Sequence, residues 1–176
     1  MSLVNEIWVS EILGIERNQG KGPDITNSGT FVEVKFSLIN QKQENQSNYP
    51  KAWTVQEHQT EYEKYWAGQG FWGFGIYELM TPVSQITFPE SESYETRNKR
   101  LENIVTRRTL YLTPWSFIYK FRPHETQGET KLSKWENVFR YVKLTNLPKT
   151  RKTYPVTKGL VHLTKKVPDY LFPNLK

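Results

Sequence analysis

Asp24, Glu33 and Lys35 are the residues of this chain best placed to do chemistry together. Asp24 lies in Gly22-Pro23-Asp24-Ile25, and the run of turn residues Thr26-Asn27-Ser28-Gly29 follows it. The next segment alternates. Phe31, Glu33, Lys35 and Ser37 share one face, and Val32, Val34 and Phe36 share the other. The apolar set predicts a core-facing side, so Glu33 and Lys35 point together the opposite way. A hairpin would bring Asp24 beside them. Two neighbouring carboxylates repel each other, and one ammonium offsets only part of that repulsion. A bound Mg²⁺, which takes oxygen ligands, would resolve the conflict.

Pro23-Asp24 followed by Glu33-Val34-Lys35 resembles the PD-(D/E)XK nuclease signature: P-D, a spacer, then E-x-K with an apolar x. Type II restriction enzymes, Holliday-junction resolvases and some homing endonucleases share it. The likeness covers roughly residues 1–80 by motif and element order. It implies an α/β restriction-endonuclease-like core, with helices flanking a central mixed β-sheet. It also implies a Mg²⁺-dependent DNA endonuclease in which Mn²⁺ can substitute. Asp24 and Glu33 would hold the metal, joined by the backbone carbonyl of Val34. Lys35 would hydrogen-bond the attacking water or the charge developing on the phosphate. Read from the residues alone, a solvated strand with Glu33 and Lys35 on its outer face remains the alternative.

Many members of that superfamily add a glutamate from the first helix, and two compete here. Glu6 begins Glu6-Ile-Trp-Val-Ser-Glu-Ile-Leu13, which resembles the resolvase pattern and favours Glu6 as the further catalytic residue. Glu11 lies between Ile7, Trp8 and Ile12 on the helical wheel, where an unpaired carboxylate is costly. Both also read as surface residues. Gln56, His58 and Gln59 follow the motif on the next helix, where some nucleases place a Gln near the substrate; a satisfied structural role is the favoured reading.

The elements that must position these residues read as follows. Ser2–Leu13 is a helix with an apolar stripe of Leu3, Val4, Ile7, Trp8 and Ile12, ended by Gly14. Residues 15–25 form a short edge strand, a Gly-rich turn and the strand carrying Asp24. Residues 40–50 are a polar loop. Thr54-Val55-Gln56-Glu57 is a capping box, predicting a helix to about Trp66. Phe71–Leu79 is a buried strand, Glu95–Val105 a helix, and Leu110–Phe121 a strand bent at Pro114. Ser133–Leu144 fits helix or strand. Extended pieces and loops fill residues 148–176. The six Trp read as core rather than as base-stacking platforms.

Composition sets the bounds. A chain of 176 residues with 36% hydrophobic and 14% aromatic residues is expected to form one globular domain, 1–176. Its catalytic core would be about 1–80, and 81–176 would carry DNA-binding and dimerisation elaborations. The chain has no Cys, and His58, His124 and His162 lie far apart, which excludes thiolate chemistry and disfavours a zinc site. No apolar run nears the roughly 20 residues of a membrane span. Met1–Glu6 has no basic start, so a cytoplasmic protein is expected.

Charge is divided between the halves. Residues 96–176 hold 18 Lys/Arg against 5 Asp/Glu, a net of +13, whereas residues 1–95 hold 6 against 13, a net of −7. An acidic half with a metal motif beside a basic half suits a polyanion substrate, as does a merely solvated basic surface; the nuclease resemblance implies double-stranded DNA. The phosphate-binding candidates are Arg97, Lys99, Arg100, Arg107 and Arg108, then Lys149, Arg151 and Lys152. One motif per chain implies a homodimer for cutting both strands. A restriction-type enzyme is the expectation. The alternatives are a resolvase, a homing endonuclease, or a non-catalytic DNA-binding protein that keeps the fold.

Overall fold

The structure is a computed structural model. It describes residues 2–20, 22–27, 29–39, 52–58, 70–115, 137–147, 152–156, 159–164 and 170–175. The described elements are α1 (Ser2–Leu13), β1 (Ile25–Asn27), β2 (Thr30–Leu38), β3 (Ala52–His58), β4 (Gly70–Leu79), α2 (Tyr94–Ile104), β5 (Val105–Pro114), β6 (Asn137–Lys143), β7 (Lys152–Val156) and β8 (Gly159–Leu163). Six strands form one mixed sheet in the order β1-β2-β4-β5-β8-β7, and β3 and β6 form a separate antiparallel pair. β2 runs parallel to β4, and β5 parallel to β8; the other pairings are antiparallel. The α/β expectation of helices beside a mixed sheet holds at this level.

The sheet is buried on both faces, and β4 shows why. Its sequence GFWGFGIYEL places Phe71 on one face and Trp72, Phe74 and Ile76 on the other, all buried. One face meets Trp8, Val9 and Leu13 of α1 and Leu171, Phe172 and Leu175 near the C-terminus. Ile15, Ile25, Val32, Val34, Leu110, Leu112, Val161 and Leu163 join that cluster. The other face meets Trp53, Trp115 and Val142. A Cβ on Gly75 would run into the Phe36 ring, so this close approach favours glycine.

Three expectations need correction. Thr54–His58 is strand, not helix. Ala52–His58 pairs along its whole length with Asn137–Lys143, and Trp53 is buried with its indole N–H donating to the Gly75 carbonyl at 2.6 Å. A capping box is a local signal; pairing with a strand some 80 residues away overrides it. Residues 59–66 of that expected helix lie outside the described residues. The stripe of α1 is rotated: Val4, Asn5, Trp8, Val9 and Leu13 are buried, and Ile7 is 37% exposed. Asp24 stands just ahead of β1 rather than within it.

Other elements match. Gly14 ends α1 at φ 70° and α2 spans Tyr94–Ile104. The strand expected over Leu110–Phe121 begins earlier, at Val105, and ends at Pro114; residues 116–121 lie outside the described residues. The ambiguous Ser133–Leu144 stretch is strand from Asn137. The edge strand expected in residues 15–25 is a single bridge between Arg17 and Ile25. Trp8, Trp53, Trp72 and Trp115 are core, as expected; Trp66 and Trp135 lie outside the described residues.

The rotation of α1 has a cause in β5. Arg108 is fully buried, and its guanidinium donates to Asn5 Oδ1 at 3.0 Å and to both carboxylate oxygens of Glu102. It also lies 5.2 Å from the Trp8 ring centre. One cation therefore ties α1, α2 and β5 together. Removing its carboxylate leaves that cation buried without a counter-ion. Glu102→Ala should cost about 3 kcal/mol in urea unfolding, and Glu102→Gln less. A loss below about 1 kcal/mol would show that the pair does not hold the three elements.

Candidate active site

Asp24 is aimed by the turn before it. Asn18 braces that turn with three bonds: its Nδ2 donates to the Pro23 carbonyl at 3.0 Å, its Oδ1 accepts from Gly20 N–H at 2.9 Å, and its own N–H donates to the Asp24 carbonyl at 2.8 Å. Gly22 takes φ 123°, a region open mainly to glycine. Across from it, Asn27 pairs with Thr30 and Ile25 with Val32. The chain thus returns along β2 with Glu33 and Lys35 beside Asp24. Asp24 Oδ2 accepts a hydrogen bond from Val34 N–H at 2.7 Å.

Glu33 and Lys35 share the face that carries Trp72, as the alternation predicts. Lys35 Nζ donates to Glu33 Oε1 at 2.6 Å and lies 5.9 Å from the Trp72 ring centre. The Glu33 side chain is 18% exposed and that of Lys35 37%, so the pair opens to solvent while Glu33 is mostly covered. Asp24 is the electrostatic centre of the group. Burial first, and the Glu33 carboxylate second, push its carboxyl up from the ordinary 3.8 to about 7. The Val34 N–H and Lys35 pull it down, and Glu6 adds a smaller upward push.

Glu6 therefore belongs to this neighbourhood, with Arg17 Nη1 3.7 Å from its carboxylate. Glu11 does not. It is exposed on α1, and its backbone carbonyl accepts from Asn174 Nδ2 at 2.8 Å. Gln56 and His58 lie on β3, and Gln59 lies outside the described residues. Two contributors were missed in the sequence. Asn18 had a readable signal, because Asn in a Gly-rich turn is a common brace. Trp72 had none, since only the β2–β4 register places it beside Glu33.

The donor set suits a hard cation. Glu33 and Glu6 are each in electrostatic reach of Asp24, and Asp24 Oδ1 and Glu33 Oε2 are not the atoms engaged by Val34 and Lys35. Among the described residues, no three His, Cys, Asp or Glu side chains meet as a ready-made metal cage. Mg²⁺ does not require one: it is commonly held by one or two carboxylates, with water and substrate phosphate completing its shell.

The basic candidates divide. Arg108 is withdrawn from the phosphate-binding set, because it is fully buried and committed to Glu102 and Asn5. Arg97 donates to the Pro89 and Glu90 carbonyls; Arg100 donates to both Glu92 oxygens and to the Thr87 carbonyl. Both guanidinium groups lie near the Phe88 ring, so they brace the loop ahead of α2. Lys99 bonds Glu95 at 2.7 Å, and Arg107 lies 3.9 Å from Glu78; both remain well exposed. Lys149 and Arg151 lie outside the described residues, and Lys152 opens β7 at the sheet edge opposite β1.

No protein-family model, curated protein or solved structure matches the chain.

The raised Asp24 sets a pH dependence. Its folded-state pKa exceeds the unfolded 3.8, so the protonated form favours the fold. That stability is fully present below pH 3.8, falls as pH rises to about 7, and is constant above. In EDTA, wild type should lose on the order of 2 kcal/mol more than Asp24→Asn between about pH 5 and about pH 8. Equal losses in urea unfolding would show that Asp24 is not held in a carboxylate-hostile site.

Proposed function

We propose that this protein is a Mg²⁺-dependent DNA endonuclease of the PD-(D/E)XK kind, built on a restriction-endonuclease-like core and of type II restriction character. The observation that carries this reading is the convergence of Asp24, Glu33 and Lys35: Asp24 on the Val34 N–H, Glu33 on Lys35, and the two carboxylates close enough to perturb each other. A solvated strand face does not call for a mostly buried Asp beside a second carboxylate. That pairing opposes stability at neutral pH and calls for a cation.

The residues divide the work. Asp24 and Glu33, with the Val34 carbonyl, would hold Mg²⁺, which when bound supplies Lewis-acid stabilisation of the phosphate and a more acidic water. Lys35 presents an ammonium on the solvent-facing side of Glu33. There it donates hydrogen bonds to the attacking water or to a phosphate oxygen as charge develops. Glu6 would add a further carboxylate from α1 to the catalytic group. The exposed Lys99 and Arg107 and the segment Lys149–Lys152 hold the DNA backbone. Two copies act on the two strands of a symmetric duplex.

Incubating plasmid, four-way junction and single-stranded DNA with Mg²⁺, Mn²⁺ or EDTA tests the reading. Cleavage should require the metal. Asp24→Ala and Glu33→Ala should abolish it, and Lys35→Ala should slow it roughly 10²- to 10³-fold, with DNA binding retained. A Glu33→Ala protein that nicks at the normal rate would overturn the assignment.

The basic segment has its own test. No acidic residue occurs between Glu136 and Asp169, so Lys149, Arg151 and Lys152 have no counter-charge nearby in sequence. Changing all three to Ala should weaken binding equally on cognate and unrelated DNA. It should also flatten the log K against log salt slope by roughly one unit per contact. An unchanged slope removes the segment from the DNA surface.

A further inference from the structure

Trp72 carries an anomaly. It is fully buried, yet among the described residues its indole Nε1–H has no hydrogen-bond partner. Its cross-strand neighbour Thr113 is also buried with its hydroxyl unpaired, so it does not accept from the indole. A buried unpaired donor is destabilising, and buried tryptophans usually find a partner. Phenylalanine would fill most of the same space without that defect. The indole must therefore supply something that a phenyl ring supplies less well.

Its surroundings say what. Trp115 stacks on the Trp72 ring at 4.5 Å, and Phe74 lies beside it at 5.6 Å with planes only 4° apart. The ring is thus held in one orientation. Register sets Trp72 opposite Glu33, and Lys35 Nζ lies 5.9 Å from its centre. Of the aromatic side chains, tryptophan attracts a cation most strongly. Lys35 therefore rests on two supports, the Glu33 carboxylate at 2.6 Å and the Trp72 ring.

We propose that Trp72 is a positioning residue that keeps the Lys35 ammonium at the active centre when the Glu33 carboxylate is drawn towards a cation. This rests on the nuclease reading of Asp24, Glu33 and Lys35. A carboxylate shared between an ammonium and a metal holds each less firmly, whereas the ring support does not change. The unpaired Nε1–H is the cost of having the better ring in that place.

The test uses metal-free protein with ¹³C-labelled lysine, the Lys35 signal being assigned by its loss in Lys35→Arg. Lys35 ε-protons should resonate upfield of the other lysines in wild type and move towards them in Trp72→Phe. In cleavage assays, Trp72→Phe should lower kcat roughly two- to tenfold, part of the range of a cation–π contact because the phenyl ring keeps a weaker one, with KM unchanged. Lys35 ε-protons at an ordinary lysine position in wild type would overturn the proposal. So would a folded Trp72→Phe protein with wild-type kcat. If Trp72→Phe does not fold, the wild-type spectrum alone decides. A ring-shifted Lys35 in a protein that cleaves no nucleic acid overturns the nuclease reading and leaves the placement by Trp72 standing.

Discussion

A proline where a strand needs an N–H is the constraint on which the candidate site depends. β1 and β2 pair at Asn27–Thr30 and Ile25–Val32, and the next pair in that ladder would be Pro23 with Val34. Such a pair exchanges two hydrogen bonds, and Pro23 has no hydrogen to give. The Pro23 carbonyl is engaged by Asn18 instead. The ladder stops, and the vacated donor, Val34 N–H, is taken by the Asp24 carboxylate. The same interruption denies the Val34 carbonyl a ladder bond from Pro23. A single missing hydrogen thus aims the Asp24 carboxylate and leaves the Val34 carbonyl beside it, on a strand otherwise anchored by its apolar face.

The second requirement is that α1 keep its rotation. Glu6 follows Asn5, and Asn5 is fastened to Arg108 of β5. Trp8, one turn further on, lies over Gly159, where a Cβ would come within 2.6 Å of the indole. These contacts fix the helix about its axis and leave little freedom in where Glu6 points. A buried cation remote from the proposed chemistry therefore has a stake in it: it sets the face on which a carboxylate approaches Asp24.

What could be read from the sequence, and what could not, follows the range of the forces involved. The alternation of β2 was legible because period two is local, and it placed Glu33 and Lys35 together. The end of α1 at Gly14 and the helix from Tyr94 were legible from caps and breakers. The strand Ala52–His58 was not, because its partner lies far along the chain and its own residues spell a capping box. The face of α1 was misjudged because Asn5 counts as polar until Arg108 meets it, 103 residues away. Arg108 itself looked like a surface cation, since charge in sequence carries no mark of burial. The position of Asp24 was legible as a neighbour of Glu33; its perturbed acidity depends on burial that only packing creates.

The two outer strands of the large sheet have a consequence for how copies of this chain can meet. At one edge β1 is three residues long and partly screened by the bridge from Arg17 to Ile25. At the other, β7 carries Lys152 and Pro155. Brevity, cover, a lysine and a proline are the devices by which natural sheets discourage strand-to-strand growth. Side-by-side extension of this sheet into a fibre or a swapped ribbon is thereby disfavoured at both of its rims. The short strand that ends to make room for Asp24 thus also guards the molecule against aggregation.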